Sequence, residues 1–230
     1  KYVGDPLNAV RIFNELNVDE IIVLDISATR KNKPPDFELI SNISSQCRMP
    51  LCYGGGIKDI KTILNLISLG IEKVALGTSS FQNPDLIKNA SKLVGSQSVV
   101  AVLDVTRTRF TKRLTCKYLN GKKDSRKNPL EAAKLFTSLG AGEILLQSID
   151  KDGTLSGYDQ NLIDCLKNNI NFPITVLGGA SSYANIKEIS DVYGPLGVSA
   201  ASVFIFEGIH RAVLINYPSQ KEKISMTNFN

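Results

Sequence analysis

Two aspartates stand where apolar runs give way to polar residues. Asp104 ends the strand-like run 98–105, and Asp152 follows Ile144-Leu145-Leu146 within EILLQSIDKDGTLSG, residues 143–157. Continuous apolar runs of this kind suit strands of a parallel sheet that is covered on both faces. A carboxylate at the end of such a strand points into the mouth of the sheet, where α/β enzymes keep their chemistry. There it can shuttle a proton if its neighbours tune its pKa. An aspartate that caps the next helix or loop is the common alternative. Asp104 and Asp152 are the candidates for proton transfer, with Asp25, Asp150 and Thr154 as further polar residues at strand ends.

A second chemistry is written in small residues. Gly178-Gly179 and Ala201-Ser202 each follow a short apolar run, as do Gly54-Gly55-Gly56 and Gly77-Thr78. Small residues after a strand expose backbone N–H groups, which cradle phosphate. Tight-turn glycines without a ligand are the bland reading. Two such cradles facing each other imply a long substrate with phosphate at both ends.

These positions are organised by a repeat. Glu20-Ile21-Ile22-Val23-Leu24 matches Glu143-Ile144-Leu145-Leu146-Gln147, and Gly54-Gly55-Gly56 matches Gly178-Gly179-Ala180, at an offset of about 124 residues. Gly77-Thr78-Ser79 and Ala201-Ser202-Val203 keep the same spacing. Seven apolar runs alternate with amphipathic helical patterns, which predicts a parallel α/β sheet. One helix is expected after Asp5-Pro6, a polar loop over residues 29–35, a hairpin turn at Leu119-Asn120-Gly121-Lys122, and a closing helix over 209–215 that carries His210. If the repeat is four β/α units, the strand ending at Asp104 opens the second copy, and its partner falls before residue 1. The expectation is a single-domain (β/α)8 TIM barrel over residues 1–230, built from two half-barrels, with its first strand missing and an empty slot beside the strand ending at Asp104.

Composition narrows the classes. At 230 residues the chain fits one domain with a substantial core. No apolar run reaches the roughly 18 residues that span a bilayer, so no membrane role is expected. Cys47, Cys52, Cys116 and Cys165 are dispersed without CxxC spacing, which points to a reducing, cytoplasmic compartment. The net charge of +5 is local: residues 107–127 carry nine Lys and Arg against Asp124 alone. Only Phe110 and Tyr118 interleave them, so nucleic acid is not the expected partner. That segment reads as a solvated hairpin or a lid. No His/Cys/Asp constellation suggests a metal, and no cofactor is expected. Lys73 and Glu143 open their strands and therefore lie at the face opposite the mouth, where the residues alone suggest an ordinary salt bridge.

The stretches YGGGIKD, GSQSVVAVLD, GAGEILLQSIDKDGTLSGYD, LGGA and AASVF together resemble the HisF-type cyclase subunit of imidazole glycerol phosphate synthase. That resemblance implies an ammonia-using reaction. A glutaminase partner of the HisH type, joined as a heterodimer, would supply ammonia through the barrel to a bisphosphorylated ribulosyl-formimino aminoimidazole carboxamide nucleotide. The products would be imidazole glycerol phosphate, used in histidine biosynthesis, and the aminoimidazole carboxamide ribotide. It further implies that Asp104 is one of two acid/base aspartates, the other lying on the first strand. Gly55, Gly56, Thr78, Gly179 and Ser202 match the family's phosphate contacts, and Lys73 and Glu143 match its charged gate.

Two mouth positions depart from that pattern: Gln147 replaces a usual threonine and Gly77 a usual asparagine. KYVGDPLNAVRIFNE and FEGIHRAVLINYPS resemble a paralogous branch encoded with surface-polysaccharide genes, which implies ammonia delivery for sugar amidation. A non-catalytic subunit that only activates a glutaminase is the third expectation. It could dispense with Asp104 and the cradles.

Overall fold

A computed structural model describes residues 3–226. Seven parallel strands form its main sheet in the order β1 (Ile21–Leu24), β2 (Leu51–Gly54), β3 (Lys73–Leu76), β4 (Val99–Arg107), β7 (Glu143–Ser148), β8 (Ile174–Leu177) and β9 (Gly197–Ser199). Two more strands, β5 (Leu114–Tyr118) and β6 (Lys123–Asp124), form an antiparallel hairpin that extends β4 at the mouth. Strands β1, β2 and β3 recur as β7, β8 and β9 about 123 residues later, so the repeat is structural. This is the (β/α)8-barrel architecture, with seven of its strands in the described residues.

The strands form because their residues are β-branched or apolar on both faces, as in Ile21–Leu24 and residues 99–103 of β4. The helices between them start where the sequence supplies caps. Asp5 accepts from the N–H groups of Leu7 and Asn8 with Pro6 at the first position, and Asn128 forms a capping box with Glu131. Between helices and sheet lies the larger core, with Ile63, Leu66, Ile87, Phe136, Leu146, Leu166 and Ile189 almost fully buried.

A second, smaller core fills the inside of the curled sheet: Cys52, Ala75, Val100, Val102 and Leu145, flanked by Ile22, Leu24 and Leu177. Side chains alternate across a strand, so stepping two residues from this layer stays inside the barrel. Two residues down lie Glu20, Lys73, Glu143 and Thr175. Two residues up lie Gly77, Asp104 and Gln147. A charged floor, an apolar middle and a polar mouth follow from one periodicity.

Among the described residues nothing pairs β1 with β9. A cleft of about 680 Å³ runs between them, lined by Ile22 and Leu24 on one side and Thr175, Leu177 and Val198 on the other. The gap is therefore not beside the strand ending at Asp104. That strand is β4, hydrogen-bonded by β3 and β7, and the opening lies across the barrel from it.

Two local expectations fail for physical reasons. Residues 29–35 were expected as a loop, but Ile26–Lys31 is a helix: the Asp25 carboxylate accepts from the N–H groups of Ser27 and Ala28, and Asn32 ends it at φ 55°. Residues 209–215 were expected as a helix, but Phe206–Glu207 (β10) and Ala212–Val213 (β11) pair as an antiparallel hairpin. Gly208 turns there at φ 68°, and Ile209 is 93% exposed, so a helix would have had no apolar face to bury. His210 sits in this exposed turn, and the last helix of the described chain is Gln220–Met226.

Candidate active site

The mouth is built from strand ends. Asp104 lies in β4, paired with Gln147 of β7 on one side and with Lys117 of the hairpin on the other. Burial pushes its carboxyl up, and the negative charge of Asp152 pushes it further, to about 6. That places a proton-exchanging carboxylate close to neutral pH, where general acid–base catalysis is most efficient. Asp152 arrives from the loop after β7, and the Gln147 side-chain amide donates to it at 3.3 Å.

The loop bearing Asp152 is held at both ends by β4. Thr106 Oγ1 and the Arg107 backbone N–H donate to Asp150, the latter at 2.8 Å. The Arg107 guanidinium forms a two-pronged pair with Asp159, whose side chain is only 5% exposed and which also caps the helix Gln160–Lys167. The bland reading of Asp150 thus holds: it ties down a loop. Thr154 bonds within the same loop, to the Lys151 carbonyl and Ser156. Asp25 caps its helix yet lines the mouth cavity as well.

That cavity, of about 460 Å³, reaches from Gly55, Gly56, Gly77 and Thr78 across to Asp104 and Gln147. Leu24, Ile26 and Gln147 line both this space and the cleft between β1 and β9, so the two adjoin. Of the second group of small residues, Ala201 lines the cleft, while Gly178, Gly179 and Ser202 line neither space. Both glycine turns are forced by close backbone approach. A Cβ on Gly55 would stand 2.4 Å from the Asp25 carbonyl oxygen at φ +127°, and one on Gly179 2.3 Å from the Gly157 carbonyl oxygen at φ +102°. Gly55→Ala is therefore expected to cost at least about 2 kcal/mol in urea unfolding, because neither the φ nor the contact can be kept. An alanine variant as stable as the parent would mean that the two strand ends are not held this closely.

At the opposite face Lys73 Nζ lies 2.8 Å from Glu20 and 3.0 Å from Glu143, and Thr175 donates to the other oxygen of Glu143. Burial pulls the ammonium's pKa down, but the hydrogen bonds and charges of Glu20 and Glu143 outweigh it, and the pKa lies above the ordinary lysine value. Glu20 and Thr175 were missed as members of this floor. The repeat already aligned Glu20 with Glu143, so the signal was present. Among the described residues no group of His, Cys, Asp or Glu could hold a metal ion, and no helix is long and apolar enough to cross a membrane.

A carboxylate raised to about 6 above an apolar core layer and a charged floor is specific enough to compare. The family model described as histidine biosynthesis protein matches residues 1–210. The chain belongs to that family. A Leptospira borgpetersenii protein, provisionally named imidazole glycerol phosphate synthase subunit HisF, is 46% identical over 223 residues, covering 97% of this chain and 88% of that one. A Vibrio vulnificus protein, provisionally named subunit hisF3, is 46% identical over 97% of this chain and 86% of its own length. The Helicobacter hepaticus protein named imidazole glycerol phosphate synthase subunit HisF is 36% identical over 95% of this chain and 86% of its own.

Proposed function

We propose that this chain is the cyclase subunit of an imidazole glycerol phosphate synthase, a lyase fed with ammonia by a glutaminase subunit. The observation that carries the reading is Asp104, raised to about 6, facing a cavity that ends at Gly55, Gly56 and Thr78. Ammonia that adds to the ketone carbon of the bisphosphorylated nucleotide gives a carbinolamine whose oxygen must take a proton to leave as water. Ring closure onto the formimino carbon must then protonate the departing carboxamide-ribotide amine. Asp104 cycles between base and acid in these steps, and the Asp152 charge keeps its proton available. The phosphates anchor at the two glycine turns, Gly55-Gly56 with Gly77-Thr78 and Gly178-Gly179 with Ala201-Ser202, which holds the reacting carbons between them.

The apolar layer of Cys52, Ala75, Val100 and Leu145 is packed shut at rest, and its side chains would part more readily for a small neutral molecule such as ammonia than for an ion. The Glu20–Lys73–Glu143 cluster at its foot is the gate, and the glutaminase docks there. The repeat calls for an eighth strand, and the open seam between β1 and β9 is the place in the sheet where such a strand would pair.

A second reading has its own observations. The relatives at 46% include one named hisF3, whereas the Helicobacter protein is at 36%. Gly77 also leaves the mouth open: a Cβ there would meet nothing nearer than Val102 at 3.6 Å. A paralogue that delivers ammonia to a sugar acceptor would use the same floor and a different mouth. Titrating the purified protein with the bisphosphorylated nucleotide separates them. The cyclase reading expects saturable binding and consumption of the nucleotide in ammonium buffer, and a protein that neither binds nor consumes it is not this cyclase.

A further inference from the structure

The basic stretch of residues 107–127 was read from sequence as a solvated hairpin or a lid, and the structure resolves it into residues with different tasks. Arg107 is spent on Asp159, and Lys117 on Asp124 at 3.0 Å. Asp124 also accepts from Thr115 and from the Arg126 N–H, which locks the base of the hairpin. Its tip leans over the mouth and is fastened there. The Leu119 N–H donates to Thr78 Oγ1 at 3.0 Å, the Asn120 side chain donates to the Ile26 carbonyl at 2.9 Å, and Tyr118 stacks on Phe81.

Fastening the tip costs conformational energy. Leu119 and Asn120 sit at φ 54°, a region that a leucine rarely adopts, so surrounding contacts must impose it. The result is to carry Lys122 into the lining of the cavity that holds Gly55, Gly56 and Thr78. Arg30, from the last turn of Ile26–Lys31, lines the same cavity from the other side. Lys58 also lines it but is bonded to Asn32 at 2.6 Å. Among the described residues neither the Lys122 ammonium nor the Arg30 guanidinium has a hydrogen-bond or ion-pair partner. Two uncommitted cations beside exposed backbone N–H groups make a site for a dianion, since charge-assisted hydrogen bonds are about twice as strong as neutral ones.

We infer that Lys122 and Arg30 bind the phosphate monoester held at Gly55, Gly56 and Thr78, and that the hairpin is the latch that delivers Lys122 to it. The inference rests on the proposed phosphorylated substrate and adds the residues that neutralise one of its ends. Lysine from a latched hairpin and arginine from a helix set how tightly that end is held, independently of the proton chemistry at Asp104.

The test uses inorganic phosphate, followed by backbone amide NMR of the whole protein. In the parent, the amides of Gly55, Gly56 and Thr78 should shift with phosphate. In Lys122→Ala and in Arg30→Ala the midpoint for that group should rise roughly tenfold or more. The amides of Gly179 and Ser202 should keep their midpoint, and Lys123→Ala, changed on the same hairpin away from the cavity, should leave both groups alone. Asn120→Ala, which frees the tip, should weaken the first site without removing a charge. Unchanged midpoints in the Lys122 and Arg30 variants, equal loss at both groups of amides, or no phosphate response at Gly55, Gly56 and Thr78 in the parent would each overturn the inference. Failure of the functional reading looks different: phosphate binds as described, but the bisphosphorylated nucleotide is not consumed.

Discussion

Asp104→Asn is expected to lower turnover of the nucleotide by about 10²–10⁴-fold while leaving its binding nearly intact, because the swap keeps the shape and removes the proton acceptor. The same change should stabilise the fold at neutral pH. The Asp104 carboxyl is pushed up to about 6, by burial first and by the Asp152 charge second, whereas an unfolded aspartate titrates near about 3.9. The folded state thus holds this proton more tightly than the unfolded chain. Its stabilising contribution is complete below pH ~4 and is lost as the pH rises through about 6. Asparagine cannot ionise, so the variant should exceed the parent by about 1–3 kcal/mol in urea unfolding at pH 8 and show no such advantage near pH 4. In the parent, kcat/KM should fall on the acid side of about 6, with the protonation of Asp104. Undiminished turnover in the variant would remove Asp104 from the chemistry.

Lys73→Met should separate two activities that share one active site. With its ammonium gone, Glu20 and Glu143 lose the cation that lies 2.8 and 3.0 Å from them. Glu20 then loses its partner and Glu143 keeps only the Thr175 hydroxyl, at a cost of about 1–3 kcal/mol in stability. If the cluster is a gate toward a glutaminase, glutamine-driven turnover should fall by at least about tenfold, within the usual range of coupling between sites. Ammonium-driven turnover, which enters from the mouth, should stay within about threefold of the parent at temperatures where the variant is folded. Equal loss of both would make the cluster an ordinary structural salt bridge and leave the passage without support.

Much of this barrel was legible because one periodicity governs it. Alternation along β1, β3, β4 and β7 puts Glu20, Lys73 and Glu143 on the floor and Asp104 and Gln147 at the mouth, and that order can be read from letters alone. Glycine turns at Gly55 and Gly179 were legible for the same reason, since only glycine tolerates those backbone approaches. The misread parts lack a periodic signal. The helix Ile26–Lys31 depends on a cap from Asp25 rather than on an apolar stripe, and Ile209 and Val213 mimic helical spacing on a segment whose residues 207–214 are exposed. The place of the gap was misjudged because a repeat fixes sequence offsets, whereas neighbours in a closed sheet depend on which strands stand first and last. Nor could sequence show that Lys122 and Arg30 share a cavity, since a hairpin tip reaches its place only through contacts such as Leu119 to Thr78.

The most direct test of the central claim follows the nitrogen. The purified protein, supplied with the bisphosphorylated nucleotide and ¹⁵N-ammonium, should release imidazole glycerol phosphate carrying ¹⁵N in its ring, together with an equal amount of unlabelled aminoimidazole carboxamide ribotide. Nucleotide recovered intact, or label found in neither product, would contradict the assignment of this barrel as the cyclase.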